Sequence, residues 1–152
     1  MKCLIHSHSN GESSFPPPLR DEIITAIDGI EIYLKKGAAP RIRDAFLNAL
    51  HIAGWPGELQ LASGSNITIT STKNGVGLCL QTGNMARMYA DLLKLQALYL
   101  NGVISFGALV LPSSPVAAKL GSNIANASRL ERELEIFKKV FNLPTLVFSL
   151  EE

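Results

Sequence analysis

Thr70, Cys79 and Gln81 have the spacing of a metal-binding hairpin. Cys79 and Gln81 stand two positions apart in a run, Val76 to Thr82, that reads as a strand, so they share one face. Thr70 lies nine residues before Cys79, across a Lys73-Asn74-Gly75 turn. Such a strand pair can aim three groups at one point. Metal-assisted phosphodiester hydrolysis uses that geometry: clustered oxyanions hold magnesium, lower the pKa of a bound water and offset charge on the phosphate. Here the spacing suits the chemistry and the side chains do not. A hydroxyl, a thiol and an amide offer a hard cation no anionic oxygen.

The elements that would position these groups can be read on either side. Asn66–Thr70 predicts a strand, and Gly83-Asn84 opens a helix over Met85–Leu100. That helix carries Met88, Leu92, Leu95 and Tyr99 inward at three- and four-residue spacing, with Arg87, Asp91 and Lys94 free to pair on its outer face. Upstream, apolar periodicity predicts helices over Asp21–Leu34 and from Pro40 to Ala53, then a strand over Glu58–Ala62. Downstream, Val103–Leu111 reads as a buried strand ended by Pro112, followed by a helical turn near Val116–Leu120. A helix over Arg129–Phe141 and a strand over Pro144–Leu150 complete the chain. The order predicts an α/β (α+β) fold: a mixed central sheet flanked by helices on both faces. Residues 1–19 divide into a candidate short strand and a linker from Ser9 to Ser14, with Pro16-Pro17-Pro18 favouring an extended path. Together they are expected to form an N-terminal arm or linker, partly ordered unless a partner holds it. Residues 20–152 are expected to form a single domain.

Composition narrows the partners. Apolar residues make up 47% of the 152 and charged residues 18%, which fits a packed core and excludes a disordered chain. The net charge of +1 leaves any nucleic-acid surface local. Cys3 and Cys79 share no metal-ligand spacing, and a reduced, buried Cys79 points to a cytoplasmic protein. No stretch reaches the roughly 18 consecutive apolar residues of a membrane span, and no signal peptide follows Met1-Lys2, so no membrane partner is expected.

The run Lys73 to Asn84, Lys-Asn-Gly-Val-Gly-Leu-Cys-Leu-Gln-Thr-Gly-Asn, continues as Arg87-Met88-Tyr89-Ala90-Asp91-Leu92-Leu93-Lys94-Leu95-Gln96. It resembles the BamHI/BglII branch of restriction endonucleases, within the PD-(D/E)XK nuclease superfamily. The resemblance extends through Pro112, Gly121-Ser122-Asn123-Ile124-Ala125 and the last helix, roughly residues 66 to 150, and is weaker before that. In the BglII-like pattern an Asp is followed nine residues later by Glu-x-Gln, which falls on Thr70, Cys79 and Gln81. The resemblance implies a restriction-endonuclease-like fold, double-stranded DNA as substrate, magnesium as cofactor and a homodimer. It also implies that both catalytic carboxylates are missing: only Gln81 is retained.

Plainer readings stand beside these. A small buried strand residue accounts for Cys79, β-propensity accounts for Thr70, and Gln81 divides evenly between a plain strand residue and a polar contact in the site. His6 and His8 share a face if the N-terminus is a strand, but two ligands are too few for zinc. His51 reads as structural or exposed. Lys35, Lys36, Arg41 and Arg43 form the densest basic patch; helix ends explain it, and it is the first place to seek phosphate contacts. Ser113-Ser114 lacks a nucleophile-elbow pattern, and no phosphate-binding loop or dinucleotide fingerprint is present.

Three functions are therefore expected in order. The first is a catalytically degenerate nuclease-fold protein with no cofactor, retaining DNA binding or assembly with a nuclease-like partner. The second is an active magnesium-dependent endonuclease with substitute ligands such as Asp91 or Glu131, both read as outer helix residues. The third is an assembly module with no nucleic-acid role.

Overall fold

The computed structural model describes every residue from Met1 to Glu152. It begins with the short strand the sequence allows there, but that strand is part of the main sheet and not of a partly ordered arm. β1 (Lys2–His8) pairs antiparallel along its whole length with the last strand of the chain, from Lys2 opposite Glu151 to His8 opposite Thr145. A helical turn, α1 (Gly11–Ser14), follows, and Gly11 lies so close to the Thr145 backbone that a Cβ there would meet the carbonyl oxygen at 2.2 Å. Phe15 is buried against Phe106 and Phe148. The prolines do not hold an extended linker either. Pro17 and Pro18 occupy the first turn of α2 (Pro17–Asp28), where the missing amide costs nothing. Residues 1–19 are thus built into the sheet and core, because β1 and Phe15 supply pairing and apolar surface that composition alone does not reveal.

α2 ends at Asp28, earlier than expected. Ile30 and Leu34 are still buried, but on an irregular path after Gly29. α3 (Ala39–Ile52) buries Ile42, Phe46 and Leu50 as its periodicity predicts. Two short strands, β2 (Leu59–Gln60) and β3 (Thr68–Ile69), pair as a small separate sheet. Thr70 stands at a bend after β3, and the chain then enters the main sheet as β4 (Ser71–Lys73). Asn74 and Gly75, at φ 47° and 80°, supply the two left-handed residues of a tight hairpin turn into β5 (Val76–Leu80).

α4 (Met85–Leu100) matches its expected span, and β6 (Phe106–Pro112) follows. Then come α5 (Ser114–Leu120), α6 (Ala127–Phe137) and β7 (Thr145–Glu151). The main sheet has the order β1-β7-β6-β5-β4, with a parallel centre (β5, β6, β7) and an antiparallel strand at each edge. Alternation along the central strands makes two cores. Val76, Leu78, Leu80, Val110 and Phe148 pack against α2, α3 and α5, whereas Cys79, Leu109, Leu111 and Val147 pack against α4 and α6. The expected mixed sheet with helices on both faces is what forms. No helix is long and apolar enough to cross a membrane.

A polar brace fixes β4 to the helical layer. Lys73 Nζ donates to both oxygens of Glu22 at 2.9 and 2.8 Å and to the Ala53 carbonyl at 2.7 Å. The buried Trp55 indole N–H also donates to Glu22, at 2.8 Å, and Lys73 lies over its ring. This ties α2, the end of α3 and the hairpin together, so the ends of β4 and β5 have a fixed relation to α3.

Candidate nucleic-acid interface

The site forms where β5 runs out. Its line continues through Gln81, whose amide donates to the Val110 carbonyl at 2.9 Å, and Gly83 then turns the chain. Asn84 caps α4 by accepting from the Ala86 amide at 2.8 Å. Because this connection is so short, the first half of α4 lies beside the open end of the sheet. Between it, α3 and the bend at Thr70 is a cleft of about 540 Å³. Thr70, Cys79 and Gln81 all line it, so the hairpin does aim them at a common space.

Each of these groups is already engaged within the protein. Thr70 Oγ1 accepts from the Leu80 amide at 2.9 Å, closing the gap in strand pairing at the bend. Gln81 Oε1 accepts from the Gly83 amide at 3.1 Å, while its Nε2 donates to Asp91 Oδ2 at 2.7 Å. The other oxygen of Asp91 accepts from Lys94 Nζ at 3.0 Å. Asp91 has 7% of its side chain exposed and Lys94 25%. Cys79 is 2% exposed; burial first, and the Asp91 charge second, hold its thiol well above the usual range. Lys94 and the Thr70 backbone act in the opposite sense but are outweighed. Burial and the Asp91 charge both favour the neutral thiol over the thiolate that nucleophilic attack or metal ligation uses.

Asp91 corrects the sequence reading. It was expected on the outer face of its helix, and it is buried in the cleft. Arg87, Asp91 and Lys94 do form one stripe on α4, and Asp91 and Lys94 do pair, but the stripe borders the open end of β5. Polar spacing on a helix marks a shared face without saying what that face meets; the short Gly83-Asn84 connection was the signal that this one meets the strand end.

The other candidates are dispersed. Of the basic patch, Arg43 lines the cleft, 3.5 Å from Glu58, whereas Lys35, Lys36 and Arg41 are exposed outside its lining. Glu131 sits half-buried on α6, away from the cleft. His8 is structural: Nε2 lies 2.7 Å from the Phe141 carbonyl, and the ring stacks on Phe141. His51 is exposed at the end of α3, and Ser113 precedes α5 with its hydroxyl buried and unpartnered.

Magnesium, which the resemblance implies, does not fit this donor set. No cluster of three or more His, Cys, Asp or Glu side chains could hold a metal ion. The lone carboxylate of the Gln81–Asp91–Lys94 network is covered by an amide and an ammonium, and the remaining donors are neutral. The arrangement can accept an anion more readily than a cation. Three cationic side chains (Arg43, Arg87 and Lys94) face two carboxylates (Glu58 and Asp91) around the cleft.

No curated protein sequence matches the chain. Among solved structures it is similar to restriction endonuclease BglII complexed with a DNA 16-mer, with a TM-score of 0.87 at 12% identity, covering 100% of this chain and 77% of that one. It is also similar to free BglII, with a TM-score of 0.74 at 14% identity and coverage of 100% and 80%. At those identities the likeness establishes a common fold. The profile of the family "Restriction endonuclease BglII/BglIII" matches residues 4–150, nearly the whole sequence, including the strand β1. The chain belongs to the BglII/BglIII restriction endonuclease family.

Proposed function

We propose that this protein is a catalytically degenerate member of its family, which binds double-stranded DNA in the cleft at the end of β5 without cutting it. It does so as a homodimer or in assembly with a nuclease-like partner. The observation that carries the reading is the convergence of Thr70, Cys79 and Gln81 on one cleft whose single interior carboxylate, Asp91, is neutralised by Gln81 and Lys94. On this reading the hairpin keeps the frame of a metal site and presents neutral side chains at Thr70, Cys79 and Gln81 where acids would stand. Family membership and a fold shared with a DNA-bound BglII support DNA as the ligand. The homodimer rests on the family alone.

Hydrolysis without a bound metal would need another source of activated water. No histidine lines the cleft, and the thiol is held neutral. The test is a plasmid assay in parallel with a binding series. Retention on duplex DNA that weakens steeply with salt, without nicking in magnesium, is the expected result. Cleavage that magnesium supports and EDTA abolishes would sink the reading. DNA retention that is absent at every salt concentration would favour an assembly role.

A second reading, an active endonuclease, draws on membership of a restriction endonuclease family and on the place of Asp91, a named substitute ligand, in the cleft. In that case Lys94 must release the carboxylate to a metal ion. Manganese titration of wild type against Asp91→Asn separates the two, since saturable binding lost in the variant would favour an active site.

A further inference from the structure

Neutral side chains at the inward positions give the cleft a different sign from a carboxylate-lined one. A site built from two or three carboxylates repels a phosphate until a divalent cation is bound between them. Here the inward positions Thr70, Cys79 and Gln81 are neutral, and both oxygens of Asp91 accept hydrogen bonds. Beside them are two cations with donors to spare. Arg87 is exposed, lines the cleft, and has neither an ion pair nor a hydrogen bond through its guanidinium. It stands next to Gly83: a Cβ built there would be 4.0 Å from Arg87 Nη1 and 3.1 Å from Gln81 Oε1, so the absence of a side chain keeps that approach open. Lys94 has three N–H donors and uses one on Asp91. Arg43 is less available, because Glu58 offsets its charge at 3.5 Å.

We propose that the cleft is a metal-free phosphodiester site in which Arg87 and Lys94 take the place that a divalent cation occupies in a carboxylate-lined one. The proposal rests on the DNA-binding reading above and specifies how the same site holds its ligand. The Arg87 fork presents two parallel N–H groups to two phosphate oxygens, and Lys94 approaches as a point charge from further along the helix. Asp91 keeps Lys94 in place when the ligand is absent and leaves it two free donors when the ligand enters. Binding then owes nothing to magnesium.

The experiment measures anisotropy of a fluorescent DNA duplex over a salt series, in EDTA and in magnesium, for wild type, Arg87→Gln and the double variant Asp91→Asn with Lys94→Gln. The double change avoids leaving a buried carboxylate unpaired. Wild-type affinity should be equal in EDTA and magnesium. Each variant should lose about five-fold in affinity, with a salt slope shallower by about one. Binding that requires magnesium, or variants that bind as wild type does, would overturn the proposal while leaving DNA binding itself intact. If no duplex binds under any condition, the DNA reading fails, and a second arm decides the site. In that arm inorganic phosphate is titrated against the Arg87 Nε resonance: a saturable shift supports the site, and no shift overturns it.

Discussion

Gln81 Nε2 donates a 2.7 Å hydrogen bond to Asp91 Oδ2, joining the strand that ends in the cleft to the helix that walls it. This one bond engages the amide at the end of the strand line and the only carboxylate of the network. Lys94 completes the arrangement from the other side of Asp91. A carboxylate with so little exposure is held by the company it keeps, and both of its oxygens are engaged in the internal ion pair and the amide hydrogen bond.

Removing one partner from that arrangement should be costly. Lys94→Met leaves Asp91 buried with a single side-chain donor, and a loss of about 2 kcal/mol is expected, less than for a fully buried pair because Lys94 is 25% exposed. Adding Asp91→Asn removes the stranded charge and should recover much of that loss. Urea unfolding of the two single variants and the double one gives the coupling directly; additive losses would show that the pair is not coupled.

The brace around Glu22 sets a pH dependence. The Lys73 hydrogen bond first, aided by Trp55 and the Lys73 charge, holds the Glu22 carboxyl below its ordinary 4.5 despite some desolvation. A folded-state pKa below the unfolded one gives stability that is complete above the unfolded value and lost as pH falls through the folded value. Glu22→Gln should therefore reduce stability near neutrality by about 1 kcal/mol, a modest figure since 30% of the side chain is exposed. The gap from wild type should close as acid is added. Unfolding curves at several pH values check this, and a gap that widens in acid would contradict it.

Thiol chemistry reports on the cleft floor. Cys79 is buried and its thiol is pushed well above the usual range, so in a Cys3→Ser background the native protein should resist iodoacetamide and react only when unfolded. Intact-mass measurement over time reads this out. Rapid alkylation of native Cys79 would mean that the cleft opens far more than its structure implies.

The sequence made the parts around the hairpin readable because local rules govern them. Asn74-Gly75 fixes a tight turn, alternation in a strand fixes which side chains share a face, and Met85–Leu100 announces itself by spacing and by the Asn84 cap. The convergence of Thr70, Cys79 and Gln81 followed from those rules. The place of Asp91 did not, since the direction a polar stripe faces depends on how the helix docks. The integration of the N-terminal residues into the sheet is hidden for a similar reason. β1 pairs with a strand at the far end of the chain, and Phe15 fills a space made by Phe106 and Phe148, contacts that no window of neighbouring residues contains.

The most direct measurement is calorimetric titration of magnesium into wild type and into the double variant Thr70→Asp with Cys79→Glu, both checked for folding by circular dichroism. If the cleft is an acid-stripped metal site, wild type takes up no magnesium there, and the folded variant gains a saturable site with magnesium-dependent nicking of plasmid DNA. Saturable magnesium uptake by wild type that Asp91→Asn abolishes, or a folded variant that gains neither binding nor nicking, would contradict the account.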